Sequence, residues 1–278
     1  MLDTIERFVW AHRTTTSSPA PVTGSISSHR APRAIGNTAK APELQYGPGM
    51  TRLVLWDIDG TLVRAGELGA AVFDRALEAV LGRLPEVRIR MSGKTDPQIV
   101  HEYLELMQLD DPSHLPAILQ RLELELASVA HQIALEGKAC AGAEKALVRL
   151  GEEPDVIQSV LTGNIAPNAV VKLSAFGLER YLDLEAGAYG SDHADRRALV
   201  PIALRRQAER RGLHLDADSV IVIGDTPNDL ACAQAGGARC ILVATGRYVV
   251  RELEGLGALA VLEDLSDTER LVELITGP

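Results

Sequence analysis

The chain has little cysteine, few aromatic residues and a shortage of positive charge. Its three cysteines, Cys140, Cys232 and Cys240, are odd in number and form no Cys-x-x-Cys pair. That excludes a disulfide framework and a thiolate metal site, so reduced, mostly buried thiols of a cytoplasmic protein are expected. Aromatics make up only 4% of the 278 residues, which leaves Leu, Val, Ile and Ala to build the core. Lys and Arg number 28 against 38 Asp and Glu, a formal net charge of −10, which argues against a nucleic-acid-binding surface. No apolar run reaches the roughly 20 residues of a membrane span, and the N-terminus lacks the apolar stretch of a secretory signal. No lysine follows Lys172.

Against these absences, residues 53–62 stand out: Leu-Val-Leu-Trp-Asp-Ile-Asp-Gly-Thr-Leu. A short apolar run ending in a turn signal predicts a strand buried on both faces, as in a parallel sheet. Asp57 and Asp59 then leave the strand at its C-terminal end, where open α/β sheets place their ligands. Two carboxylates this close repel each other unless a cation or a proton intervenes. Ligation by oxygen without thiols suits Mg²⁺. A plain strand-to-turn reading accounts for Gly60 but not for an aspartate on each side of Ile58.

Two further apolar runs end in polar motifs. Val156–Leu161 runs into Thr162-Gly163-Asn164, and Ser219–Ile223 runs into Gly224-Asp225-Thr226-Pro227-Asn228-Asp229. Between them Asp195-Arg196-Arg197 precedes a helical pattern. In this order the four motifs resemble the haloacid dehalogenase-like hydrolase superfamily, most closely its phosphoglycolate phosphatase-type phosphatases, from about Thr51 to about Asp264. The resemblance implies a Mg²⁺-dependent phosphomonoester hydrolase acting on a small soluble phosphate ester through an aspartyl-phosphate. Asp57 would be the nucleophile, and Asp59 the acid and base. The N–H groups of Ile58 and Asp59, with Thr162, Gly163 and Asn164, would hold the phosphate. Asp57, Asp225 and the Asp59 carbonyl would ligate Mg²⁺. Asp229 would orient the metal site, or serve simply as an N-terminal helix residue.

The family usually places a lysine before the fourth motif, and this chain departs from it. Arg196 is the favoured replacement, since a guanidinium holds carboxylate and phosphate in a fork, with Arg197 as the alternative. Ser92-Gly93-Lys94-Thr95 is not a phosphate-binding P-loop, because Arg88 stands where that motif needs its first glycine. Lys94 is a candidate for an anionic leaving group, or an ordinary surface lysine. A sugar phosphomutase uses the same aspartyl-phosphate, and an aspartate-phosphoacceptor signalling module is an alternative from a different class.

The predicted architecture is a doubly wound, mostly parallel sheet with an inserted helical cap. Residues 1–49 are rich in Ser, Thr and Pro and read as a disordered extension, either an over-extended start before Met50 or a weak organellar transit signal. Residues 50–65 and 139–278 read as the Rossmann-like core. Residues 66–138 read as the cap, with helices over 70–81, 96–107 and 115–135. Asp96-Pro97 and Asp111-Pro112 are expected to open the second and third of these as N-cap and N1.

Overall fold

The computed structural model describes residues 51–277, so the expected extension at 1–49 lies outside the described residues. Its central sheet has six parallel strands: β1 (Arg52–Trp56), β4 (Val156–Leu161), β5 (Asp183–Ala188), β6 (Val220–Gly224), β7 (Arg239–Val243) and β8 (Ala260–Leu262). Their order is β5-β4-β1-β6-β7-β8, with Leu55 of β1 in register between Ser159 and Val222. A short antiparallel ribbon of β2 (Val63–Arg64) and β3 (Lys138–Ala139) joins the two crossings between the sheet and the helical insertion.

Strand β1 is central, and its side chains alternate between two cores. Val54 and Trp56 enter the core beneath α5 (Ala143–Gly151), α6 (Ala166–Ser174) and α10 (Thr268–Thr276). Leu53 and Leu55 enter the opposite core beneath α7 (Leu199–Arg211), α8 (Pro227–Ala235) and α9 (Val250–Leu253). Burial on both faces is what the unbroken apolar run requires. The doubly wound fold is thus the predicted one. Cys140, Cys232 and Cys240 are free and buried, as expected.

The insertion packs α1 (Leu68–Leu81), α2 (Asp96–Leu106), α3 (His114–Ser128) and α4 (Ala130–Glu136) around a third apolar cluster that includes Val72, Tyr103, Leu122 and Leu126. Two expected helix entries are corrected. Thr95, not Asp96, caps α2 by accepting from the Gln98 N–H at 3.2 Å. The Asp96 carboxylate instead crosses to the core, where it accepts from the Ile165 N–H at 2.8 Å. Helix α3 starts at His114, and Asp111 only ties the preceding turn through the Ser113 N–H. The expected single helix over 115–135 is two, divided at Val129, whose φ of −109° and ψ of 11° leave the helical region. Among the described residues no helix is long and apolar enough to cross a membrane.

Candidate active site

All four motifs meet in one cavity of about 510 Å³ between the C-terminal ends of the central strands and the helical insertion. Asp57 leaves β1 with its N–H donating to the Ile223 carbonyl at 2.9 Å, so the neighbouring strand β6 sets its position. Its buried carboxylate accepts from Arg196 Nη2 at 2.8 Å. The same nitrogen donates to Asp229 Oδ1. Arg196 lies in a 3-10 turn just before α7, capped by the Asp195 side chain, and is itself buried. Arg197 turns outward and pairs with Asp195. Of the two candidate arginines, Arg196 is thus the one beside Asp57.

Asp59 points elsewhere. Its Oδ2 accepts from Lys172 Nζ at 2.6 Å and from Asn164 Nδ2 at 2.8 Å. Asn164 also donates to the Thr162 hydroxyl oxygen at 2.8 Å and accepts from Lys172 at 2.7 Å. The two aspartates of the first motif thus have separate cations, Arg196 and Lys172. Ile58 fixes the loop between them: its side chain is buried, and its carbonyl accepts from the N–H groups of Leu62 at 3.0 Å and Val63 at 2.9 Å.

Asp225 follows β6 and packs against two glycines. A Cβ on Gly60 would lie 2.5 Å from its carboxylate, and one on Gly246 would lie 1.6 Å away. Gly60, at φ +87°, also needs the left-handed conformation that glycine allows. Asp225 Oδ1 is buried without a hydrogen-bond partner. Carboxylate oxygens of Asp57, Asp225 and Asp229 lie within 4.8 Å of one another. An orphaned oxygen beside two further acids is the donor set a hard divalent cation requires. Asp229 is committed on both sides. It opens α8 in a capping box with Thr226, accepting from the Thr226 N–H at 2.9 Å, and it holds Arg196. The capping box is the helix-terminus reading, and the other contact of the same side chain is to Arg196.

Burial and mutual repulsion raise the proton affinity of Asp57 and Asp225. Burial first, opposed by Arg196, pushes Asp57 up to about 7. Burial and then the charges of Asp229 and Asp57 push Asp225 to about 9. Asp96, behind the site, is raised by burial to about 6 against the pull of Lys172.

The insertion is closed on the core. The Gly163 carbonyl accepts from the Asp96 N–H at 2.7 Å, and Thr95 Oγ1 donates to the Ala194 carbonyl at 2.6 Å. A Cβ on Gly163 would lie 2.0 Å from the Lys94 carbonyl oxygen, and one on Gly93 would lie 2.6 Å from Thr226 Oγ1. Lys94 lines the cavity, but its ammonium is paired with Glu102.

Neither Lys172 nor Asp96 was singled out from the sequence as a site residue. Lys172 had a readable signal. Asn168 and Lys172 stand four residues apart on a largely apolar helix, with Asn164 just before its start, which puts two polar groups on one buried helix face. Asp96 had none, because its role is a contact across 69 residues.

A family model described as haloacid dehalogenase-like hydrolase matches residues 54–234. The chain is 28% identical to a phosphoglycolate phosphatase of Rhodospirillum rubrum over 221 residues, 78% of this chain and 89% of that one. It is 26% identical over 197 residues to the tyrosine-protein kinase PtkA of Mycobacterium tuberculosis, covering 70% of this chain and 62% of that protein's length. Among solved structures, a hydrolase from Pseudomonas syringae superposes with a TM-score of 0.62 at 23% identity, over 81% of this chain and 99% of that one.

Proposed function

The chain belongs to the haloacid dehalogenase-like hydrolase family, as a phosphatase of the phosphoglycolate phosphatase kind, and from that premise we propose that it is a Mg²⁺-dependent hydrolase of small soluble phosphate monoesters. The observation that carries the reading is the Asp57 carboxylate. It sits buried at the floor of the cavity, held by Arg196 and facing an Asp225 oxygen that has no partner.

Asp57 attacks phosphorus. A new P–O bond forms to its carboxylate as the bond to the leaving alcohol oxygen breaks. Asp59, the more exposed of the pair with 46% of its side chain accessible, delivers a proton to that oxygen. It then takes a proton from the water that hydrolyses the aspartyl-phosphate, which restores Asp57 and releases phosphate. Lys172 and Asn164 set the direction of the Asp59 carboxylate. Thr162, the Gly163 backbone and Asn164, with the N–H groups of Ile58 and Asp59, bind the phosphoryl oxygens. Arg196 offsets the charge of Asp57. Mg²⁺, held by the carboxylates of Asp57 and Asp225 and the Asp59 carbonyl, would neutralise phosphoryl charge during transfer. Asp229 supports this set through Arg196.

Phosphate release from a panel of monoesters, with Mg²⁺ and with EDTA, tests the reading on wild type and Asp57→Asn. Metal-dependent release lost in Asp57→Asn is expected. Release that persists in Asp57→Asn would overturn it. The likeness to a protein named a tyrosine kinase favours a second reading, transfer of the phosphoryl group from Asp57 to an acceptor other than water. Label that stays on the protein until an acceptor is added, with no free phosphate, would select it.

A further inference from the structure

The cations lining the cavity divide into two groups. Three are neutralised by carboxylates: Arg196 is shared by Asp57 and Asp229, Lys172 is held by Asp59, and Lys94 is paired with Glu102. Arg64 and Arg247 have no acidic partner among the described residues. Arg64 Nη2 donates to the Gly246 carbonyl at 2.6 Å and to the Thr245 carbonyl. Neutral carbonyls fix the guanidinium in place but leave its charge intact, and its Nε and Nη1 stay free of partners among the described residues. Arg247 is exposed in the lining, with neither hydrogen bond nor ion pair among the described residues. In a chain of net charge −10, two uncompensated guanidiniums on one cavity call for an anion.

The two arginines belong to one corner of the site. Arg247 directly follows Gly246, whose carbonyl anchors Arg64. That segment is seated on the acid cluster: Thr245 Oγ1 donates to the Gly60 carbonyl at 2.6 Å, and a Cβ on Gly246 would lie 1.6 Å from the Asp225 carboxylate. It lies across the floor from Lys172, since the segment follows β7 while α6 follows β4, and these strands stand on opposite sides of β1. The phosphoryl group bound at Asp57 has its own holders, so these two forks are left for another group of the same substrate. A guanidinium fits the paired oxygens of a carboxylate or a phosphate. One already anchored by backbone carbonyls loses little freedom on binding.

We propose that Arg64 and Arg247 form a subsite for a second anionic group, a carboxylate or a second phosphate, carried by the alcohol part of the substrate. The inference rests on the phosphatase reading and names the substrate class and two specificity-determining residues of the same site. It puts the discriminating charge on the core and on the crossing strand β2, and not on Lys94 of the insertion, the cation singled out from the sequence.

Three esters of equal carbon-chain length separate charge from size: propyl phosphate, the phosphate ester of 3-hydroxypropionate, and 1,3-propanediol bisphosphate. On the Mg²⁺-loaded enzyme at least one of the two charged esters is expected to exceed propyl phosphate about tenfold or more in kcat/KM, and the better of them identifies the anion. Arg247→Gln breaks no contact within the protein and is expected to lower the charged-to-neutral ratio about tenfold, through KM more than kcat. Charged esters no better than propyl phosphate, a ratio unmoved in Arg247→Gln, or a ratio lost in Lys94→Gln instead would each overturn the inference while leaving metal-dependent, Asp57-dependent hydrolysis intact. If no ester turns over, the hydrolase reading fails on its own. The subsite is then read by calorimetry with Mg²⁺ present. There 3-phosphonopropionate or propane-1,3-diphosphonate should bind about tenfold more tightly than propylphosphonate, and Arg247→Gln should remove the difference. Equal affinity for all three overturns the inference, as does a difference that survives in Arg247→Gln.

Discussion

Replacing Arg196 by methionine tests whether this guanidinium is what keeps the acid cluster folded. Arg196 is buried between Asp57 and Asp229, and Asp229 is fully enclosed. Methionine preserves most of the stem and removes the charge, which leaves two buried carboxylates without their shared partner. Breaking a buried pair in this way costs roughly 3–5 kcal/mol. At roughly 2–4 °C per kcal/mol for a domain of this size, Tm should fall by about 6–20 °C. The deficit should depend on pH. Asp57 is already pushed up to about 7 with Arg196 present, and removing the cation raises its proton affinity further. At low pH protons replace the lost charge, so the mutant should recover toward wild type between pH 8 and pH 5 in EDTA. Arg196→Lys retains the charge and should lose clearly less. Thermal unfolding followed by circular dichroism at both pH values gives the comparison. A fall of less than about 3 °C at pH 8, or a deficit that is the same at pH 5, would refute the argument.

Other expectations follow from the same geometry. Asp57 and Asp225 are raised from 3.8 to about 7 and about 9, so the native state binds more protons than the unfolded chain across that window. Metal-free stability should therefore decline as pH rises from 5 to 9, and Mg²⁺ should raise Tm more at pH 8 than at pH 5 in a dye-based melt. Gly163→Ala places a Cβ 2.0 Å from the Lys94 carbonyl oxygen, which forces the insertion off the core. A displacement on the order of 1 Å should cost about 100-fold in kcat/KM, read in steady-state kinetics. Thr226→Ala removes the α8 cap and should cost about 1 kcal/mol, seen as a shift of the urea midpoint.

The motifs were legible because each is contiguous and three of the four sit at strand ends. Asp57, Thr162 and Asp225 each follow a run whose burial on both faces can be read from composition alone. The preference for Arg196 over Arg197 came only from Asp195-Arg196 standing immediately before a helical pattern; the outward turn of Arg197 onto Asp195 is seen only in the structure. Edge strand β5 reads Asp-Leu-Glu-Ala-Gly-Ala, without β-branched residues, and its strand character comes from pairing with β4. Helix α10 has Leu271, Val272 and Ile275 at helical spacing, so its signal was present. The shift of the α2 cap from Asp96 to Thr95 was not readable. What moves Asp96 is the Ile165 N–H, and that group approaches only once the insertion has closed.

The pairing of charges in the cavity bears on what the site lacks. Asp57 has Arg196 and Asp59 has Lys172, while Asp96 has the Ile165 N–H and the nearby Lys172 charge. Asp225 alone among these four lining acids accepts no hydrogen bond. It makes no hydrogen bond to Arg196, whose Nη2 goes to Asp57 and Asp229, and feels that charge only through space. Gly60 and Gly246 press against it in place of side chains that would carry donors. Left to itself Asp225 holds a proton at neutral pH, with its affinity raised to about 9. A divalent cation at this carboxylate must displace that proton, so its binding should tighten as pH rises. It would also supply the positive charge that lets a dianionic phosphate approach Asp57 in a chain of net charge −10. Loading of metal and binding of phosphate should then be mutually reinforcing, each tighter in the presence of the other. Calorimetric titration of inorganic phosphate with and without Mg²⁺ measures that coupling, and equal phosphate affinity in both would contradict it.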